Sequence, residues 1–327
     1  MRWTVLTLLK VDHLVVEYRS RHGIARAVND VSFSMEKGET LGLVGESGSG
    51  KSTLGFALIG LLPSPGVVAS GHIVLEEQDL SGLNEKRMRS LRGSRIAFVF
   101  QNPMTSLNPV KTVGDHFVEL FRTHDSQISE NEARARARAL LDELGIPAGR
   151  IQDYPHQFSG GMRQRIMIGL AIALNPSLAI ADEPTTALDV IVQDRVLDIL
   201  KDLSVKHDMA LILVTHDLSI VLERCDNVFV MYAGYQIEYG KSQELYISPK
   251  HPYTQGLLNS IPNIGLDYQK LRAIPGSPPD LLNMPSGCPF SPRCPYVMTV
   301  CKAKLPPLFR LEGGHLARCF LYGGEEN

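Results

Sequence analysis

Apolar and polar positions alternate over Leu9–Tyr18 and again over Val28–Met35, a spacing that predicts two strands with one buried face each. Thr40–Val44 is apolar almost throughout, as suits a parallel strand covered on both faces. A glycine-rich turn follows. A helical stretch then runs from Lys51 to Leu61 and stops near Pro63. Ile96–Phe100, Leu178–Ala181 and Leu211–Thr215 are three more short apolar runs, and a polar residue ends each: Gln101, Asp182 and His216. Strands alternating with helices imply a parallel α/β sheet, and the carboxyl ends of such strands are where ligands bind.

Between Gln101 and Ser159 the period turns helical. Ser129 and Glu132 make a capping-box signature, after which Ala133, Ala137, Leu140, Leu141 and Leu144 share one helix face. Arg134, Arg136 and Arg138 are read as a solvated face. Val228–Met231 and Gln236–Tyr239 flank Ala233-Gly234 and predict a hairpin. After about residue 245 proline becomes frequent and the periodicity fades, which predicts a small loop-rich appendix.

Composition narrows the classes. A chain of 327 residues with 44% hydrophobic and 21% charged side chains can bury a large core and suggests about two domains. The net charge of −2 argues against bulk nucleic-acid binding and against a polybasic membrane anchor. No apolar run approaches the ~18 residues that a bilayer span needs. Met1–Leu9 is short, broken by Thr4 and Thr7, and is read as a lead-in to the first strand rather than a signal peptide, so the expected compartment is the cytosol.

Gly45-Glu46-Ser47-Gly48-Ser49-Gly50-Lys51-Ser52-Thr53 matches the phosphate-binding pattern G-x-x-x-x-G-K-[ST]. Its glycines let the backbone curl so that N–H groups face phosphate oxygens, and the helix that follows adds its positive end. Lys51 is suited to the β- and γ-phosphates, and the Ser52 hydroxyl to Mg²⁺. The required strand before and helix after are both predicted.

Asp182-Glu183 closes the run Leu178–Ala181. An acidic residue at a strand end in a chain with a phosphate loop is a Mg²⁺ ligand candidate, and the adjacent Glu183 a candidate general base. Ser159-Gly160-Gly161-Met162-Arg163-Gln164 precedes an apolar helix, so its backbone N–H groups and hydroxyl make an anion-binding helix start.

Taken together these residues resemble an ATP-binding cassette (ABC) ATPase. The phosphate loop, Gln101, the Ser159–Gln164 signature, Asp182-Glu183, Ala187-Leu188-Asp189 and His216 occur in that family's order across residues 9 to about 245. Phe158 stands where the family usually has Leu, so packing there is expected to differ and chemistry not to. A narrower resemblance covers nearly the whole chain. Phe100–Pro109 is similar to the Gln-loop of the oligopeptide/dipeptide transporter ATPases, and His251-Pro252-Tyr253-Thr254 with Gly287-Cys288 to Cys294-Pro295 is similar to their C-terminal extension.

The resemblance implies a P-loop NTPase fold with an antiparallel β subdomain, a helical subdomain over about 106–164, and a boundary near 245 before an extension over 246–327. It implies that Tyr18, 27 residues before Gly45, stacks on adenine. Gln101 would touch Mg²⁺ or the attacking water, and His216 would contact the γ-phosphate. Ser159, Gly160, Gly161 and Gln164 would complete a partner's ATP site, and Asp189 would lie at the dimer interface.

Four late cysteines, Cys288, Cys294, Cys301 and Cys319, lack the close pair usual for structural zinc. Pro289 and Pro295 follow two of them, and irregular spacing suits iron–sulfur ligation. Members of the resembling family carry such a centre, so a [4Fe–4S] cluster is expected, with Zn²⁺ or free or disulfide-linked thiols as the alternatives.

The function these readings imply is the ATPase subunit of an ABC importer for di- or oligopeptides, at the cytoplasmic face of the membrane. Its expected partners are a homologous ATPase forming a heterodimer, two permease subunits and, indirectly, an extracytoplasmic peptide-binding protein. A related oligosaccharide or nickel-type importer is the alternative. A DNA-repair ABC protein is excluded because only 58 positions separate Gln101 from Ser159, too few for its coiled-coil arm.

Overall fold

The computed structural model describes residues 7–101, 106–186, 188–261 and 273–323. The expected lead-in before residue 7, residues 102–105 of the Gln-loop and Ala187 lie outside the described residues. The chain divides into two units, one built from residues 1–35, 40–82 and 213–327, the other from 36–39 and 83–212.

In the first unit β1 (Thr7–Ser20) and β2 (Gly23–Glu36) lead to β3 (Thr40–Val44), α1 (Lys51–Leu58), β4 (Gly66–Leu75) and β5 (Gln78–Asp79). One sheet has the order β2-β1-β4-β5, with β4 antiparallel to β1. On β1 the alternating buried positions are Leu9 and Val11, then Leu14 and Val16, with Leu8 and Glu17 buried beside them. The alternation slips by one residue because the β1–β4 register shifts between Asp12 and Val15, where His13 adopts φ +49°. β3, as its apolar sequence predicts, is buried at all five residues.

The second unit contains α2 (Glu85–Leu91), β6 (Ile96–Val99), α3 (Val113–His124), α4 (Glu130–Glu143), α5 (Gly160–Ile172), β7 (Leu178–Asp182) and α6 (Val190–Lys206). β6 and β7 pair in parallel, Val99 opposite Ala181. Thr112 caps α3 through a reciprocal box with Asp115, and Ser129 caps α4 by accepting from the Glu132 N–H at 3.2 Å. Ala133, Ala137 and Leu141 form the buried stripe of α4, and Phe117 and Phe121 that of α3. Arg134 on α4 is not merely solvated: it bonds Asp115 at 2.7 Å and Glu130 at 3.1 Å.

Strand β8 (Ala210–Thr215) begins in the second unit and ends in the first. The first unit continues with α7 (Leu218–Arg224), β9 (Asn227–Tyr232), β10 (Tyr235–Lys241), α8 (Ser242–Ile247) and α9 (Pro252–Asn259). It ends in α10 (Thr299–Ala303), β11 (Phe309–Arg310) and β12 (Leu316–Ala317). β9 lies parallel to β3 and antiparallel to β10, the predicted hairpin. Beyond β10 the order continues through β12 to β11, so the tail that reads as loop also supplies two strands. β12 joins through Glu238 opposite Ala317 and Tyr239 opposite Leu316.

Candidate functional site

The chain leaves buried β3 through Gly45 and returns into α1 at Gly50. A side chain could not occupy either position. A Cβ at 45 would lie 2.2 Å from the Met231 carbonyl oxygen, and one at 50 would lie 2.0 Å from that of Ala27, with φ at +103° besides. Over Gly48 the space within 4 Å is open. No side chain caps α1, and its first turn holds no acidic residue. The positive end of its dipole is therefore not offset by a capping side chain or an acid of its own first turn, and a phosphate placed there would meet it. Lys51 is buried, and its Nζ spans the loop, donating to the carbonyl oxygens of Gly45 at 2.7 Å and Glu46 at 2.9 Å. The residues fit a nucleotide phosphate chain. Ser47, Ser49, Ser52 and Thr53 all fall on this loop and the start of α1, and the Ser49 carbonyl is tied to the Gly234 N–H at 2.9 Å.

Tyr18 sits near the end of β1, opposite Gly66 on β4. Its hydroxyl is 3.4 Å from the Thr53 hydroxyl, so the predicted adenine-stacking residue and the phosphate-loop helix belong to one local cluster. His216 follows β8 in the same unit and is exposed. Next to it Asp217 caps α7 by accepting from the Ser219 N–H at 2.9 Å.

In the second unit Asp182 is buried at the end of β7, and Glu183 follows with φ at +42°. Because β6 and β7 are parallel neighbours in register, Gln101 and Glu183 emerge side by side just past their ends. Gln101 Nε2 donates to Glu183 Oε2 at 2.9 Å, and the Thr186 hydroxyl donates to the same oxygen at 3.0 Å. The sequence motifs named Gln101 and Glu183 separately; Thr186 was missed, because a threonine three residues downstream carries no signal of its own.

Ser159 caps α5, its Oγ accepting from the Met162 N–H at 3.4 Å. Gly160 and Gly161 open that helix, and a Cβ on Gly161 would meet Val192 at 2.4 Å, so α5 and α6 approach closely. Gln164 is buried, with no partner for its amide nitrogen among the described residues. Phe158 is buried, and the Arg150 guanidinium lies 4.1 Å over its ring, a contact that a Leu would not make. Asp189 caps α6 through the Val192 N–H at 2.9 Å, beside Val190 and Ile191, which are 82% and 83% exposed.

The iron–sulfur expectation, with its zinc alternative, is corrected by the structure. Among the described residues, no three or more His, Cys, Asp or Glu side chains are grouped to hold a metal ion. Cys288, Cys294, Cys301 and Cys319 do line one cavity, but it measures about 10 Å³, room for a single water at most. Phe290, Tyr296 and Pro306 share its wall. Burial pushes the Cys288 and Cys319 thiols up to about 11 and raises Cys294 as well. None of the five cysteines is joined in a disulfide.

A strand, a glycine-rich loop spanned by lysine and an uncapped helix start, with an Asp-Glu pair at another strand end, define a P-loop nucleotide-binding protein. The family described as ABC transporter matches residues 28–186, and the one described as oligopeptide/dipeptide transporter, C-terminal region, matches residues 237–301. The chain is 45% identical over 315 residues to the oligopeptide transport ATP-binding protein OppD of Salmonella typhimurium, covering 96% of this chain and 93% of that one. It is 44% identical over 316 residues to the dipeptide transport ATP-binding protein DppD of Escherichia coli, covering 96% of each. With the oligopeptide transport ATP-binding protein AppD of Bacillus subtilis it shares 45% identity over 322 residues, 98% of each. Among solved structures, the ATP-binding cassette MJ0796, dimeric in a post-hydrolysis state with ADP and Pi, is similar with a TM-score of 0.65 and 26% identity. That match spans 72% of this chain and 99% of the other. CbiO1 from Clostridium perfringens, part of an ABC transporter complex, gives 0.63 and 28%, over 74% and 91%. The chain belongs to the ABC transporter family, as an ATP-binding subunit of the oligopeptide/dipeptide type.

Proposed function

We propose that this protein hydrolyses ATP to energise an ABC importer of di- and oligopeptides at the cytoplasmic face of the membrane. The observation that carries the ATPase reading is the Gly45–Thr53 loop, uncapped at α1 and spanned by the buried Lys51. Peptide as cargo follows from the relatives' functions and from the matching C-terminal region. The proposed division is an ATPase part to about residue 245, with a helical subdomain over about 106–164, and an extension over 246–327.

In this reading Tyr18 stacks on adenine while Gly45, Glu46, Ser47, Gly48, Ser49, Gly50, Ser52 and Thr53 surround the phosphates. Lys51 exchanges its loop carbonyl partners for phosphate oxygens and neutralises their charge. The hard oxygen donors Ser52, Asp182 and Gln101 suit Mg²⁺. When bound, that ion supplies charge neutralisation on the phosphates. Glu183 takes the proton of the attacking water, its carboxylate held in place by Gln101 and Thr186. His216 donates to the γ-phosphate as charge builds there. Ser159, Gly160, Gly161 and Gln164 serve the ATP bound by a second cassette, and Asp189 lies at that interface. The second cassette is a related ATPase, giving a heterodimer, and the pair drives two permease subunits fed by a peptide-binding protein.

The test is reconstitution with the permeases, the partner ATPase and the peptide-binding protein in proteoliposomes. ATP hydrolysis should rise with added di- or oligopeptide. Stimulation by an oligosaccharide or by Ni²⁺, with none by peptide, would overturn the cargo.

A further inference from the structure

Glu46, the second residue of the phosphate loop, is gripped on three sides, and two of the grips come from the C-terminal extension. Its carboxylate receives a two-pronged ion pair from Arg293, at 2.6 and 2.9 Å, across 247 positions of sequence. Its backbone N–H donates to the Tyr253 hydroxyl at 2.8 Å. Its carbonyl accepts from Lys51 Nζ at 2.9 Å. The N–H, the side chain and the C=O of one residue are therefore each fixed, and the third grip is the lysine that nucleotide binding uses.

The holding residues are themselves fixed. The Arg293 side chain is 5% exposed, and it also donates to the Pro275 carbonyl at 2.8 Å and the Tyr232 hydroxyl at 3.2 Å. Tyr253 is fully buried. Its ring packs on Tyr232 at 4.7 Å and on Phe290 at 5.4 Å, between centroids. Plain packing would need neither the guanidinium nor the phenol oxygen to aim at the loop. Charge-assisted pairs with forked geometry fix position as well as add energy.

We infer that Arg293 and Tyr253 are positioning residues for the phosphate loop, through which the C-terminal extension sets the affinity of the cassette for ATP. The loop must present its N–H groups and the Lys51 ammonium in one arrangement, and the Glu46 peptide is where that arrangement meets the extension. Any event that shifts the extension would loosen this peptide and change nucleotide affinity. The inference rests on the nucleotide-binding reading proposed above.

The experiment measures the equilibrium Kd for ATP by titration calorimetry, the kcat and KM of phosphate release with the partner ATPase present, and the thermal unfolding midpoint. The proteins are the full chain and its variants Tyr253→Phe, Arg293→Gln, Glu46→Gln and the double variant Glu46→Gln/Arg293→Gln. Tyr253→Phe and Arg293→Gln should each raise Kd and KM roughly tenfold, as expected for losing one hydrogen bond that orders a binding group, with kcat at saturating ATP within about twofold. The double variant should be no weaker than the worse single one, because the two residues act as one pair. Should Arg293→Gln fail to fold, Tyr253→Phe decides alone, since it keeps the ring and removes only the oxygen. A wild-type chain that binds ATP, with Tyr253→Phe binding it within twofold, would overturn the inference whatever the unfolding midpoint does. A wild-type chain that does not bind ATP would overturn the nucleotide-binding reading itself.

Discussion

Gln101 and Glu183, 82 residues apart, share a hydrogen bond of 2.9 Å just past the ends of two parallel strands. The bond makes the carboxylate an acceptor with a fixed direction, and the Thr186 hydroxyl holds the same oxygen. A general base needs that orientation before it needs any particular pKa.

Glu183→Gln should therefore keep ATP binding and lose turnover. The amide can occupy the same place but cannot take a proton, so the expected loss is roughly 10²–10⁴-fold in phosphate release. Nucleotide affinity should stay near wild type, because the phosphate loop is untouched. Near wild-type phosphate release with the partner present would rule out Glu183 as the base.

Gly50→Ala tests the loop backbone. The added methyl would sit 2.0 Å from the Ala27 carbonyl oxygen at φ +103°, so neither the strand nor the turn can absorb it in place. Strained backbone of this kind costs about 1–3 kcal/mol. A lowered unfolding midpoint together with loss of ATP binding is the expected result. A variant with unchanged stability and Kd would mean that the loop relaxes freely.

A pH dependence follows from His251. Burial lowers its pKa to about 4, against an unfolded value near 6.5. Its Nδ1 accepts from the Tyr253 N–H at 3.1 Å, so it caps α9 as the neutral ring. Glu238, whose carboxylate accepts from the His251 N–H at 2.8 Å, opposes this shift without cancelling it. A depressed folded pKa contributes stability that is present above 6.5 and is lost as pH falls toward 4, because only the unfolded chain takes up the proton in that window. The loss amounts to about 3 kcal/mol. His251→Asn keeps a cap acceptor that does not titrate. Denaturant melts at pH 7 and pH 5 should show a shallower drop for the variant, and equal drops would discard this source.

ATP hydrolysis by the isolated chain should be slow, since Ser159 and Gly160 stand at the start of α5 to serve the partner ATPase's nucleotide in the proposed pairing. Rate per mole of protein should climb as a related ATPase is titrated in and then level off. Full activity in a preparation shown by sedimentation to be monomeric would contradict the shared sites.

The local grammar of the chain determined much of this protein. Thr40–Val44, the loop at Gly45–Thr53 and the helix behind it follow from apolar runs, glycine placement and a lysine at a set spacing, all interactions within a few residues. Asp182-Glu183 was legible for the same reason: a buried strand that stops in two acids announces its exposed end. The long strand β4 was not read, because Val67, Val68, Ile73, Val74 and Leu75 are interrupted by Ser70, Gly71 and His72, and only pairing with β1 makes those residues a strand. The cysteines looked like a ligand set from spacing and resemblance, yet whether four thiols enclose a metal depends on the space between them. Packing of Phe290 and Pro306 left about 10 Å³ there. Arg293 and Glu46 are the clearest case. Nothing in either neighbourhood marks the other, and the contact across 247 positions is made beside the packed rings of Tyr232, Tyr253 and Phe290, which come from distant parts of the chain. Short-range spacing is written in the chain directly, whereas a long-range ion pair depends on every element folded between its partners, and that is decided by tertiary packing alone.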